Sequence, residues 1–120
     1  MPLYETTVIL RPDLSPADVQ QLLDQATEIV KEGKGNVVKR EYWGLRTLAY
    51  RIVKYRKAHY GFLGIDAPSA AVQELERRFR LHEDVVRLVS IVVEKIDSEP
   101  TPMMRGAGGQ SDGDSDRDAA

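Results

Sequence analysis

NVVKREYWGLRTLAYRIVKYRKAHYGFLGID, residues 36–66, decides the fold of this 120-residue chain. NVVKREYW (36–43) and LRTLAYRIVK (45–54) are rich in β-branched and aromatic residues and read as extended, as one long strand with a bulge at Gly44. YRKAH (55–59) reads as the turn and YGFLGID (60–66) as the strand that returns. The same stretch is crowded with cations: seven basic residues lie from Lys39 to Lys57 against one acid, Glu41, in a chain of formal net charge -2.

On the N-terminal side, LYETTVILR (3–11) is another β-branched run, and Pro12-Asp13 breaks it. Ser15 then offers a helix N-cap, with Pro16 at the first helical position and Asp18 in the first turn. Val19, Leu22, Leu23, Ala26, Ile29 and Val30 recur at helical spacing until Gly33 or Gly35 stops the helix. On the C-terminal side a second helix starts near Ser69 after Pro68, with Val72, Leu75 and Phe79 inward, and VVRLVSIVVEKI (85–96) reads as the last strand. The order is strand, helix, strand, strand, helix, strand. Two β-α-β halves with right-handed crossovers and both helices on one face predict an α+β fold, the ferredoxin-like split βαβ sandwich with an antiparallel four-stranded sheet. That architecture hosts many functions, so the function has to be read from the site.

Composition narrows the class. There is no cysteine, so disulfides and thiolate metal sites are excluded and an intracellular setting is favoured. The apolar runs are too short to span a bilayer, and Pro2 and Glu5 stand where a signal peptide would carry positive charge. A cytoplasmic protein with no membrane partner is expected. Charge is unevenly distributed: residues 1–96 hold 15 basic and 13 acidic residues, whereas residues 97–120 hold six acids and two arginines. Residues 98–120, rich in Gly, Ser and Asp, have too little apolar surface to offset their ordering entropy. The expected division is a folded domain over 1–97 and a disordered acidic tail over 98–120.

Lysine and arginine neutralise phosphates, and aromatic rings offer faces on which bases and riboses stack, so the cations and rings of residues 43–62 point to RNA. The small positive surplus of the body is low for a lone nucleic-acid binder and calls for a partner that brings further cations. Three rivals share the fold. An RNA recognition motif would read single strands from its open sheet, but here the third-strand signature matches only from Tyr60 onward. An acylphosphatase-like enzyme would use Arg11 and Asn36, but no glycine-rich loop follows the first strand to present N–H groups to a phosphate. A metabolite-sensing dimerisation module would pair sheets along the long second strand. His59 and His82 are isolated, at a turn and a helix end, and no nucleophile-base pair can be assembled. No enzyme activity, catalytic residue, metal, cofactor or small-molecule substrate is expected.

The stretch GLRTLAYRIVK (44–54) resembles the signature of the bacterial small-subunit ribosomal protein six family. Tyr4-Glu5, Pro12-Asp13-Leu14, Tyr60-Gly61 and Glu83 to Arg87 agree with it, so the resemblance spans residues 3 to about 95. It implies the same fold and a structural role in the 30S ribosomal subunit, binding 16S ribosomal RNA as a heterodimer with small-subunit ribosomal protein eighteen. On that reading Arg46, Arg51, Arg80 and Arg87, supported by Tyr4 and Tyr50, are the candidates for phosphate or ribose contacts. Trp43, Leu48 and Tyr50 are the candidates for the protein partner.

Overall fold

The computed structural model describes residues 1–52 and 55–101, including side chains for all of these except 48–52 and 55. Six elements follow in the expected order: β1 (Leu3–Leu10), α1 (Pro16–Glu32), β2 (Asn36–Ile52), β3 (Tyr55–Asp66), α2 (Ser69–Arg80) and β4 (Val85–Val93). The strands form one sheet in the order β2-β3-β1-β4, and every neighbouring pair is antiparallel. The ferredoxin-like sandwich is thus present, with β2 and β4 as its edges.

Local chemistry sets the elements. At the start of α1 the Ser15 hydroxyl accepts from the Asp18 N–H and the Asp18 carboxylate accepts from the Ser15 N–H, both at 3.1 Å. This capping box satisfies two donors that a helix N-terminus leaves orphaned, and loss of such a cap typically costs ~1 kcal/mol. α1 buries Val19, Leu22, Leu23, Ala26, Ile29 and Val30, the stripe its periodicity predicts. α2 buries Ala71, Val72, Leu75 and Phe79. Both stripes pack on one side of the sheet against Tyr4, Val8 and Leu10 of β1 and Leu63 and Ile65 of β3. Each fully buried side chain of this kind contributes about 1.5–3 kcal/mol.

Two boundaries differ from the sequence reading. YRKAH is not the turn: β3 begins at Tyr55, pairing reaches Ile52↔Tyr55, and residues 55–59 all belong to the strand. The cations made that run look solvated, but strands of a projecting hairpin are solvated too. The last strand ends at Val93 rather than 96, and Ile96 crosses the sheet instead of extending it. The bulge at Gly44 is present as expected. The register shifts between Tyr42 and Gly44, and Gly44 has φ +92°, a left-handed value that favours glycine.

Candidate functional site

Alternation along the strands leaves one sheet face without helices. On it Arg87 of β4, Ile9 of β1, Tyr60 of β3 and Gly44 of β2 form a single row across all four strands, and the Arg46↔Ala58 pair lies one step further along. Past that point β1 no longer accompanies β3, so residues 46–52 and 55–58 project as a two-stranded ribbon. Arg56 and Lys57 are exposed on it.

The bulge at Gly44 displaces Trp43 onto this face. Its ring lies over Phe62, with centroids 5.3 Å apart and planes 14° apart, and beside Tyr60 at 6.5 Å. Ile9, Ala58 and Tyr60 form a small second core under Trp43 and Val86. Arg46 folds back at the ribbon's root, its Nε donating to the Trp43 carbonyl at 2.9 Å. On the opposite edge Arg87 and Arg80 line a cleft of about 220 Å³ with Glu76, Val85, Val86 and Leu88. Both arginines are exposed. Cations therefore flank a short apolar floor from either side, a layout suited to a polyanion that also presents flat faces.

The residues expected at the site separate into groups. Arg46, Arg80 and Arg87 gather at one end of the sheet, and Trp43 lies between Arg46 and the aromatic pair. Tyr4 faces the helices, 8 % exposed within the main core, which leaves its ring little surface for a ligand. The side chains of Arg51, Leu48 and Tyr50 lie outside the described residues, although their backbones belong to β2. Arg77 and Arg78 on α2 are committed elsewhere: both chelate Glu74, at 2.8 and 2.6 Å, and push its carboxyl down to about 2.

His59 is not at a turn. It is buried in β3, where its Nε2 lies 2.7 Å from the Leu14 carbonyl and its Nδ1 2.6 Å from the Tyr42 hydroxyl. A carbonyl only accepts, so Nε2 carries a proton and donates to Leu14, while Nδ1 shares a hydrogen bond with the Tyr42 hydroxyl. Burial in turn raises the Tyr42 phenol. The pair ties edge strand β2 to the loop after β1. Arg11 forms an ion pair with Asp84 at 2.5 Å and joins the end of β1 to the turn before β4.

One feature was not legible in the sequence. Beyond β4 the chain folds back over the helix-free face as a strap. Ile96 sits on Gly64, where an added Cβ would lie 3.0 Å from the isoleucine. Lys39 Nζ donates to the carbonyls of Asp97 and Glu99, each at 2.6 Å. The Glu41 carboxylate accepts from the Thr101 hydroxyl at 2.8 Å, the Thr101 N–H at 3.2 Å and the Trp43 indole at 2.8 Å. Burial pushes Glu41 up, but these hydrogen bonds and the nearby Lys39 outweigh it and hold the carboxyl below its ordinary value. The contacts reach past residue 97, into the segment expected to be disordered; residues 102–120 lie outside the described residues. With Tyr60 and Phe62 only 7 % and 5 % exposed, the face offers no bare stacking platform of the kind an RNA recognition motif uses.

The chain matches the family model described as ribosomal protein S6 over residues 3–92. It is 50 % identical to the small ribosomal subunit protein bS6 of Hyphomonas neptunium, covering 87 % of this chain and 93 % of that one. Against the bS6 of Zymomonas mobilis it is 49 % identical over the full length of both. Among solved structures it is similar to the 30S ribosomal protein S6 of Thermotoga maritima, with a TM-score of 0.72 and 26 % identity, covering 77 % of this chain and 87 % of that one.

Proposed function

We propose a function from one premise: the chain belongs to the ribosomal protein S6 family. It is a non-enzymatic structural protein of the bacterial small ribosomal subunit, and its place is the cytoplasmic ribosome. Its specific work is to bind 16S ribosomal RNA at the cation-flanked end of the sheet, as a heterodimer with small-subunit ribosomal protein eighteen. The observation that carries this reading is the common face of Arg46 and Arg87, with an apolar floor between them. Phosphates on either side of a ribose or base would meet one guanidinium each while the sugar or base rests on Trp43. Arg80, beside Arg87 in the cleft, adds a third cation.

The need for a protein partner follows from charge. A body with a surplus of two positive charges neutralises few phosphates, and a second basic chain multiplies them. Leu45, 47 % exposed at the root of the ribbon, offers that chain an apolar contact. Filter binding with a central-domain RNA fragment tests the reading. Weak binding by this chain alone and tight binding by the pair is expected; full-strength binding without the partner overturns the heterodimer, and no binding in either case overturns the RNA site.

A further inference from the structure

We propose that the cleft between α2 and β4 takes one unstacked guanine of the bound RNA, Glu76 reading its Watson–Crick edge while Arg80 and Arg87 hold the flanking phosphates. The inference rests on the reading of that end of the sheet given above and adds a base specificity to it. The cleft, of about 220 Å³, is lined by Glu76 and Arg80 of α2 and by Val85, Val86, Arg87 and Leu88 at the start of β4. It combines three aliphatic side chains, against which a flat ring can lie, with three charged ones that can fix the ring's orientation. The charges set this cleft apart from the rest of α2. Glu74 is chelated by Arg77 and Arg78 at 2.8 and 2.6 Å, and Arg78 also reaches Glu32 at 3.5 Å. Glu76 and Arg80 stand four positions apart, the spacing at which helical ion pairs form. Yet among the described residues neither they nor Arg87 form an ion pair. Glu76 is half-buried and both arginines are exposed.

Two cations against one carboxylate leave the cleft net positive, so it attracts phosphate and still keeps an acceptor for a base. A carboxylate only accepts, and it has two oxygens side by side. It therefore matches a base edge that presents two neighbouring donors. Guanine alone does so, through N1–H and the N2 amino group. Adenine and cytosine each offer one amino donor beside a ring acceptor, and uracil offers one N–H between two acceptors. A base in a loop, a bulge or a single strand exposes that edge. A carboxylate between two phosphate-binding arginines weakens binding to RNA in general, and only a guanine in the cleft recovers the loss. Glu76 thereby trades affinity for discrimination.

The full chain is titrated, at low salt, with short labelled oligouridylates that carry guanine, adenine, cytosine or uracil at the centre. A further strand carries hypoxanthine, which keeps N1–H but lacks the amino group, and so tests the same contact without altering the protein. The guanine strand should bind about tenfold more tightly than the adenine, cytosine and uracil strands, and hypoxanthine should forfeit about threefold of that gain. Glu76→Gln, whose amide offers one donor and one acceptor, should lose the guanine preference and gain one for adenine, with unchanged circular dichroism. Equal affinity of the natural chain for all central bases would overturn the guanine pocket and leave the phosphate face standing. So would a guanine preference that survives in Glu76→Gln or is indifferent to the amino group. A preference for cytosine would refute the guanine assignment as well, since a single N4 donor would then suffice. Failure to bind any strand would instead overturn the RNA face.

Discussion

Glu41 and Thr101, 60 positions apart, meet through two hydrogen bonds, from the threonine hydroxyl at 2.8 Å and its backbone N–H at 3.2 Å. The carboxylate that makes them is 8 % exposed and is held charged by Trp43, Thr101 and Lys39 against the cost of burial. Two consequences follow for the strap, one in pH and one in chain length.

Because Glu41 titrates lower in the folded protein than its ordinary value of 4.5, its contribution is fully present above that value and is lost as pH falls through the folded one. The emission of Trp43, the sole tryptophan, should stay flat from neutrality to about pH 5 and change on further acidification. In Glu41→Gln that acid-side transition should vanish, and the strap should be destabilised at pH 7 by about 1.5–3 kcal/mol, the range for hydrogen bonds to a charged group. An unchanged acid transition in the variant would assign it to another carboxylate.

Truncation should have a sharp threshold. A chain ending at Thr101 keeps every strap contact described and should melt within about 1 °C of the full chain. One ending at Ile96 loses the Lys39 and Glu41 partners together and leaves a carboxylate and an ammonium at the surface without them. A loss of about 1 kcal/mol corresponds to ~4–8 °C in a domain of this size. Calorimetry on the two chains decides it.

Two glycines should fail for different reasons. Gly64→Ala places a methyl group 3.0 Å from Ile96 and 3.0 Å from the Lys39 Cβ, so the strap must lift; the cost should be ~1–3 kcal/mol, read together with a change in Trp43 emission. Gly44→Ala meets nothing within 4 Å. Its cost, also about 1–3 kcal/mol, comes from φ +92° alone, and Gly44→Asn should recover part of it because asparagine tolerates the left-handed region.

For RNA, Arg46→Ala and Arg87→Ala should each lower the slope of log K against log salt by about one, the signature of one lost phosphate contact, with unchanged circular dichroism. Arg77→Ala should leave the slope alone, since that side chain is spent on Glu74. Trp43→Ala should reduce stability as well as binding, because the ring is stacked on Phe62 and Tyr60 rather than held out to solvent.

The element order, the Ser15 cap, the buried stripes of both helices and the Gly44 bulge were all legible in the sequence, because each is dictated within a few residues by periodicity, capping chemistry or a φ that only glycine accepts easily. The gathering of Arg46 and Arg87 was half legible: their residue type suggested phosphate, but only the register through β1 and β3 sets them in neighbouring rows of one face. Tyr4 illustrates the limit. Its ring suited either face of β1, and alternation against the buried Val8 and Leu10 assigns it to the core.

What the sequence by itself determined is thus the fold and the family, since these rest on local patterns and on residue type. What only the tertiary structure decided is the course of residues 94–101, the buried His59 between Tyr42 and Leu14, and the cover on the aromatic pair. Each depends on partners tens of residues apart whose side chains carry no periodic mark, and a lysine and a glutamate two positions apart on a strand look like ordinary surface charges until the chain returns across the sheet to meet them.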